Sequence, residues 1–152
     1  MKKDSQNRPQ FQPLHPALRE VTSMLVNKVA DRARILFNDA LEQSLGLHAK
    51  HFGILFLLNS DGPSSQTELV QQLGVDKASM VQFIDHLEKL ELAKRSPNPR
   101  DRRYHIITIT EKGLEVLKQG LEISIAVEQE LFSGISNEER KQLNSLLRKV
   151  LE

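Results

Sequence analysis

Cysteine is absent from the 152 residues, so the chain has no disulfide, no thiolate metal ligand and no thiol redox sensor of its own, as suits a reducing compartment. No apolar run is long enough to span a bilayer. Met1-Lys2-Lys3 is followed by polar residues rather than an apolar stretch, so no signal peptide is expected, and the expected location is the cytoplasm. Catalytic signatures are missing too. No G-x-S-x-G, P-loop or H-E-x-x-H accompanies Asp85-His86 or Asp101, so an enzyme is not expected. His48 and His51 lie three apart, a spacing that can put two imidazoles on one helix face, but no second pair of ligands accompanies them and His15 and His105 are elsewhere. No metal and no cofactor is expected.

An excess of either charge is also lacking overall, the formal net charge being +1. Its distribution is uneven. Residues 1–60 carry +3, 61–93 carry −4, 94–110 carry +4 and 111–152 carry −2. The basic excess is therefore concentrated on a short piece of chain, where it can mark a nucleic-acid partner that the total conceals. At this length and with 39% apolar residues, one compact unit or one unit plus a helical appendage is expected.

Residues 1–16 are rich in Gln, Asn, Pro and Lys and are expected to form a flexible arm. From Ala17 to Leu45, apolar residues recur at spacings of three and four, which predicts one long amphipathic helix. A second apolar stretch, His51 to Leu58, predicts a largely buried helix ending at Asp61-Gly62-Pro63. Ser65-Gln66-Thr67-Glu68 has the capping-box spacing and opens a short helix that Gly74 ends. Asp76 then caps a helix striped by Met80, Phe83, Ile84, Leu87 and Leu90. Two helices joined by three residues with a glycine at the joint are the sequence form of a helix-turn-helix, although another helical hairpin can show the same pattern.

After Leu92 the period changes to two. His105 to Ile109 is β-branched and alternating, and Leu92 to Ser96 is its expected partner, leaving Pro97 to Arg103 as a polar, proline-bearing hairpin loop. A hairpin directly after a helix-turn-helix is a wing, part of an expected three-stranded region. Lys94, Arg95, Arg100, Arg102 and Arg103 then sit where phosphates and a narrow groove can be reached. Thr110 is placed to cap a helix to about Phe132, and Ser136-Asn137-Glu138-Glu139 repeats the capping box before a last helix. The terminal helices carry more apolar face than one small winged domain can cover, so burial against a second copy is expected.

These residues resemble the MarR (multiple antibiotic resistance regulator) family of winged helix-turn-helix repressors. The specific part of the resemblance is Leu87-Glu88-Lys89-Leu90-Glu91-Leu92-Ala93-Lys94-Arg95, then Asp101-Arg102-Arg103, then Ile107-Thr108-Ile109-Thr110-Glu111-Lys112-Gly113. It implies a mainly α fold with a small β wing, a helical dimerisation region from both termini (17–46 and 111–152) and a DNA-binding region at 47–110. It further implies a homodimer on a pseudo-palindromic operator, repression of transcription, and release by a small, often phenolic or anionic, effector. Arg103 matches the wing arginine that enters the minor groove, and Asp101 the aspartate that orients it. Glu91 departs from the family's usual glycine, so the sequence predicts that the recognition helix ends differently here.

On the helix face opposite the apolar stripe, Lys77, Ser79, Val81, Gln82 and His86 are candidate DNA contacts, with Gln82 suited to adenine and Val81 to a thymine methyl. Arg95, Arg100, Asp101, Arg102 and Arg103 complete the candidate set. Asp85 and Glu88 would repel phosphates unless they point away. Two other readings remain open at this point: a winged-helix module whose basic wing docks an acidic protein, and a metal or ligand sensor that does not bind DNA.

Overall fold

The computed structural model describes residues 11–99, 101 and 105–152. It divides into two compact units, one of residues 38–123 and one of residues 1–37 with 124–152. The division falls inside two helices, α1 (Thr22–Leu45) and α5 (Glu111–Leu131), rather than at the sequence breaks near 46 and 110. Packing is the reason. Leu41 near the end of α1 and Leu117 in the first half of α5 are buried within the 38–123 unit, and Gly120 lets α5 approach the Phe52 ring.

Within that unit α2 (Ala49–Ser60) is followed by β1 (Ser64–Ser65), α3 (Gln66–Leu73), α4 (Lys77–Lys89), β2 (Ala93–Pro97) and β3 (His105–Ile109). The core is formed by Leu47, Ile54, Leu55, Leu58, Leu69, Met80, Ile84, Leu87, Leu92 and Ile107, drawn from α2, α3 and α4, their flanking turns and the sheet. Both expected caps form. Ser65 and Glu68 bond each other's backbone amides reciprocally, and Asp76 accepts from the Ser79 N–H at 2.9 Å. Gly74, at φ 58°, makes the left-handed turn that separates α3 from α4.

The sheet order is β1-β3-β2, all antiparallel. Pro97 does not begin the loop; it pairs with His105 as the last position of β2. An edge strand tolerates this, because a proline there need not donate to a neighbour. The two-residue strand β1, paired through Ser64 with Ile107, had no periodicity by which to be recognised.

Glu91 also corrects the sequence reading, because the helix ends just as it would with glycine. Glu91 has φ 61°, the only described non-glycine residue with positive φ. The Leu92 N–H bonds the Leu87 carbonyl at 2.8 Å and the Glu91 N–H bonds that of Glu88 at 2.9 Å, the two bonds of a Schellman ending. Leu87 and Leu92 are both buried in the core, so tertiary packing holds the left-handed residue in place. Glu91→Gly should therefore stabilise the protein by about 0.5–1 kcal/mol, the relief of strain being partly offset by a freer unfolded chain. The midpoint of urea unfolding checks this. An unchanged or lower midpoint would show that the Glu91 geometry carries no strain.

The second unit holds the N-terminal turns of α1, the end of α5, and α6 (Asn137–Leu151), which opens with the Ser136–Glu139 capping box. A short 3-10 turn at Pro16–Leu18, capped by His15, precedes α1, so the predicted single helix from Ala17 is interrupted. Part of the expected flexible arm is attached: the Phe11 ring lies 4.9 Å from the Arg32 guanidinium, a cation–π contact. No residue of α6 is buried, and Ile125, Val150 and Leu151 are 57%, 83% and 87% exposed. Among the described residues no helix is long and apolar enough to cross a membrane.

Candidate nucleic-acid interface

Helix α4 buries Met80, Ile84 and Leu87, and this leaves its other face to solvent. Lys77, Val81 and Gln82 are exposed there, within the first two turns. Ser79 is half-buried and already engaged. Its hydroxyl donates to Asp76 Oδ2 at 2.6 Å, so its remaining capacity is as an acceptor, which suits a base amino group and not a phosphate oxygen. The same bonds, from the Ser79 hydroxyl and then its amide, hold the Asp76 carboxyl below the usual range.

His86 does not join this face. Its ring lies 4.7 Å from that of His51 on α2, and its Nε2 is enclosed without a hydrogen-bond partner. The two sequence-neighbouring histidines have structural work of their own. His51 Nδ1 accepts from the His48 N–H at 3.0 Å, His48 Nδ1 accepts from the Lys50 N–H at 3.3 Å, and the His51 ring meets Phe83 edge-on. Among the described residues there is no group of three or more His, Asp or Glu side chains arranged to hold a metal ion.

Burial, and then the neighbouring His86 and His48, lower the His51 pKa from 6.5 to about 4. The unfolded chain thus binds more protons than the folded one between these values. Stability contributed by neutral His51 is complete above pH 6.5 and is lost as pH falls toward 4. Because the ring is partly solvated, the loss should be about 1 kcal/mol, well under the full linkage value. Urea midpoints at pH 7.5 and 4.5 should differ less in His51→Asn than in the wild type; equal differences would remove His51 as the titrating group.

Arg95 on β2 was expected at the DNA, yet its side chain is only 27% exposed. Its guanidinium Nη1 lies against the carboxylates of Glu88 and Asp85, at 2.6 Å from Asp85 Oδ1, and its backbone N–H donates to Glu88 Oε1 at 2.8 Å. The two acidic residues expected to repel phosphates are therefore paired with the wing strand. No sequence spacing announced this, since residues seven apart across a helix end have no fixed geometry. Asp101 is half-buried, and Arg100, Arg102 and Arg103 lie outside the described residues. Between the start of α3 and the wing runs a groove of about 910 Å³, whose walls include Gln66, Lys77, Arg95 and His105.

The family model of the MarR family matches residues 47–105, the stretch from α2 to the start of β3. Over 101 residues the chain is 33% identical to the HTH-type transcriptional repressor NicR of Pseudomonas putida, covering 66% of this chain and 64% of NicR, just under two thirds of that relative's length. It is 30% identical over 125 residues to the HTH-type transcriptional regulator MhqR of Bacillus subtilis, covering 80% of this chain and 86% of MhqR. Among solved structures, a mutant MarR from E. coli complexed with operator DNA superposes with a TM-score of 0.74 at 25% identity, covering 91% of this chain and all of the other. Bordetella bronchiseptica BpsR, whose DNA binding is regulated by 6-hydroxynicotinic acid, gives 0.73 at 26% identity, covering 93% and 99%. With the helix-turn-helix, the three-stranded wing and these relatives in agreement, the chain belongs to the MarR family of HTH-type transcriptional regulators.

Proposed function

We propose that the protein is a sequence-specific DNA-binding repressor that acts in the cytoplasm as a homodimer on a pseudo-palindromic operator. The observation that carries this reading is the exposed face of α4, with Lys77, Val81 and Gln82 presented on the helix that precedes a wing whose sequence holds Arg100, Arg102 and Arg103. The α4 helix of each copy enters a major groove, the two sites being about 10 base pairs apart, and the wings grip flanking minor grooves. Dimerisation covers the apolar positions of the helical unit, among them Ile125, Val150 and Leu151, which solvent reaches in a single chain. An operator-bound E. coli relative supports the same mode.

Release follows from a small aromatic or anionic effector that prefers a dimer with misplaced α4 helices, as the regulation of BpsR suggests, and operator affinity falls by the ratio of its affinities for the two forms. The test is selection of duplexes from a random pool, followed by a salt titration of the one selected. Affinity should fall steeply and linearly in log–log form, by several powers of the salt ratio, while sequence preference persists. Loss of binding to every duplex, with retention of an acidic protein partner, would favour the interaction-module reading instead.

A further inference from the structure

We propose that Arg95 is a positioning residue that clamps the wing to the recognition helix, and not a ligand of the DNA backbone. This rests on the DNA-binding reading above and says how the two reading elements keep their relative angle. The argument begins with Glu88, whose two oxygens serve the same residue: Oε1 accepts from the Arg95 main-chain N–H and Oε2 from its guanidinium. A carboxylate holding both the backbone and the side-chain end of one residue fixes where β2 lies against the last turns of α4. Asp85, three residues earlier on the helix, takes the same guanidinium nitrogen, so that one arginine spans about a turn of α4.

Arg95 is in turn locked into the sheet. It pairs in register with Ile107 of β3, whose side chain is buried in the core cluster. The chain of contact therefore runs from α4 through Arg95 to β3, the strand that follows the wing loop. Electrostatics point the same way. The three groups together carry a charge of −1 with the arginine in place; were it to leave for a phosphate, two carboxylates would lose this partner on a helix that docks against a polyanion. Holding Arg95 against Asp85 and Glu88 makes the two carboxylates of the recognition helix compatible with DNA.

The clamp predicts an effect opposite in sign to that of simple charge counting. Glu88→Gln removes a negative charge near DNA and should, on charge alone, tighten binding. We expect it instead to weaken affinity for the selected operator duplex about tenfold, as Arg95→Gln does, with the double substitution no worse than the weaker single one. The log–log salt slope should stay within about half a unit of wild type, because no phosphate contact has been lost. Arg95→Lys, which can still reach a carboxylate, should recover most of the affinity. In the free protein, amide exchange across 93–97 and 105–109 should rise about tenfold in Arg95→Gln and in Glu88→Gln. Tighter or unchanged binding by Glu88→Gln, with a slope reduced by about 1.8 in Arg95→Gln (about 0.9 for each protomer of the dimer), would make Arg95 a phosphate ligand and overturn the proposal. Unchanged amide exchange would overturn it without reference to DNA. If the wild type prefers no duplex, the DNA-binding reading falls, and exchange alone still decides whether the clamp exists.

Discussion

Gly113→Ala should lower the stability of the protein by about 3–4 kcal/mol, the clash outweighing the roughly 1 kcal/mol that alanine's helix propensity returns. A Cβ built at Gly113 lies 2.1 Å from the Leu92 carbonyl oxygen and 2.8 Å from Ile109 Cγ1. The oxygen belongs to main chain held by its own bond from the Thr110 N–H at 3.1 Å, so it cannot swing aside as the end of a flexible side chain could. The first turn of α5 packs directly on the corner where α4 ends and β2 begins. Thr110 fastens the same corner, its hydroxyl donating to the Glu91 carbonyl at 2.7 Å and accepting from the Gly113 N–H at 3.0 Å. A loss of this size removes a large part of the margin of an ordinary domain and should reduce Tm by about 10 °C. Gly134→Ala is the control. Nothing lies within 4 Å of a Cβ built there, so its midpoint should be unchanged or slightly raised. A Gly113→Ala variant as stable as the wild type would show that the corner yields, and that the close approach of α5 is not required.

Arg103→Ala should weaken operator binding by about tenfold to a hundredfold and make the log–log salt slope shallower by about two, roughly one for each wing of the dimer. The resemblance to the MarR family implies that Arg103 is the wing arginine of the minor groove, and a narrow groove concentrates negative potential around an inserted guanidinium. Loss should be larger on operators whose flanks are A·T-rich, where the groove is narrowest. Asp101→Ala should reproduce part of the effect with little change in slope, since an orienting carboxylate limits the arginine's rotamers without touching a phosphate. Fluorescence anisotropy at several salt concentrations separates these outcomes. Unchanged affinity in Arg103→Ala would remove the wing tip from recognition and leave α4 as the sole reader. Two arginines of one basic segment are thus expected to do different work, Arg103 through its match to the family motif and Arg95 through its paired carboxylates.

Much of the fold was written in residues three or four apart. Ser65 with Glu68, Asp76 with Ser79 and Ser136 with Glu139 each satisfy a helix start from within one turn, so the chain alone located those starts. Gly74 marked the turn of the helix-turn-helix for an equally local reason, because a left-handed residue there is easiest without a Cβ. The alternation of His105 to Ile109 likewise named its own strand. The exposed positions Lys77, Val81 and Gln82 followed from the apolar stripe of the same helix.

What the sequence left undecided depended on surfaces that only packing brings together. His86 has the helical phase of a DNA-facing residue, but α2 presents His51 to it, and its Nε2 is enclosed. Arg95 reads as one more cation of the wing until β2 is laid against α4, where Glu88 and Asp85 receive it. Glu91 takes the left-handed conformation of an absent glycine because Leu87 and Leu92 are buried on either side of it. Local hydrogen bonding and periodicity thus determined which elements form and where they begin; the choice of partner for each charged or aromatic side chain was made by tertiary contacts. Those contacts join residues at no regular spacing, so no period or motif encodes them.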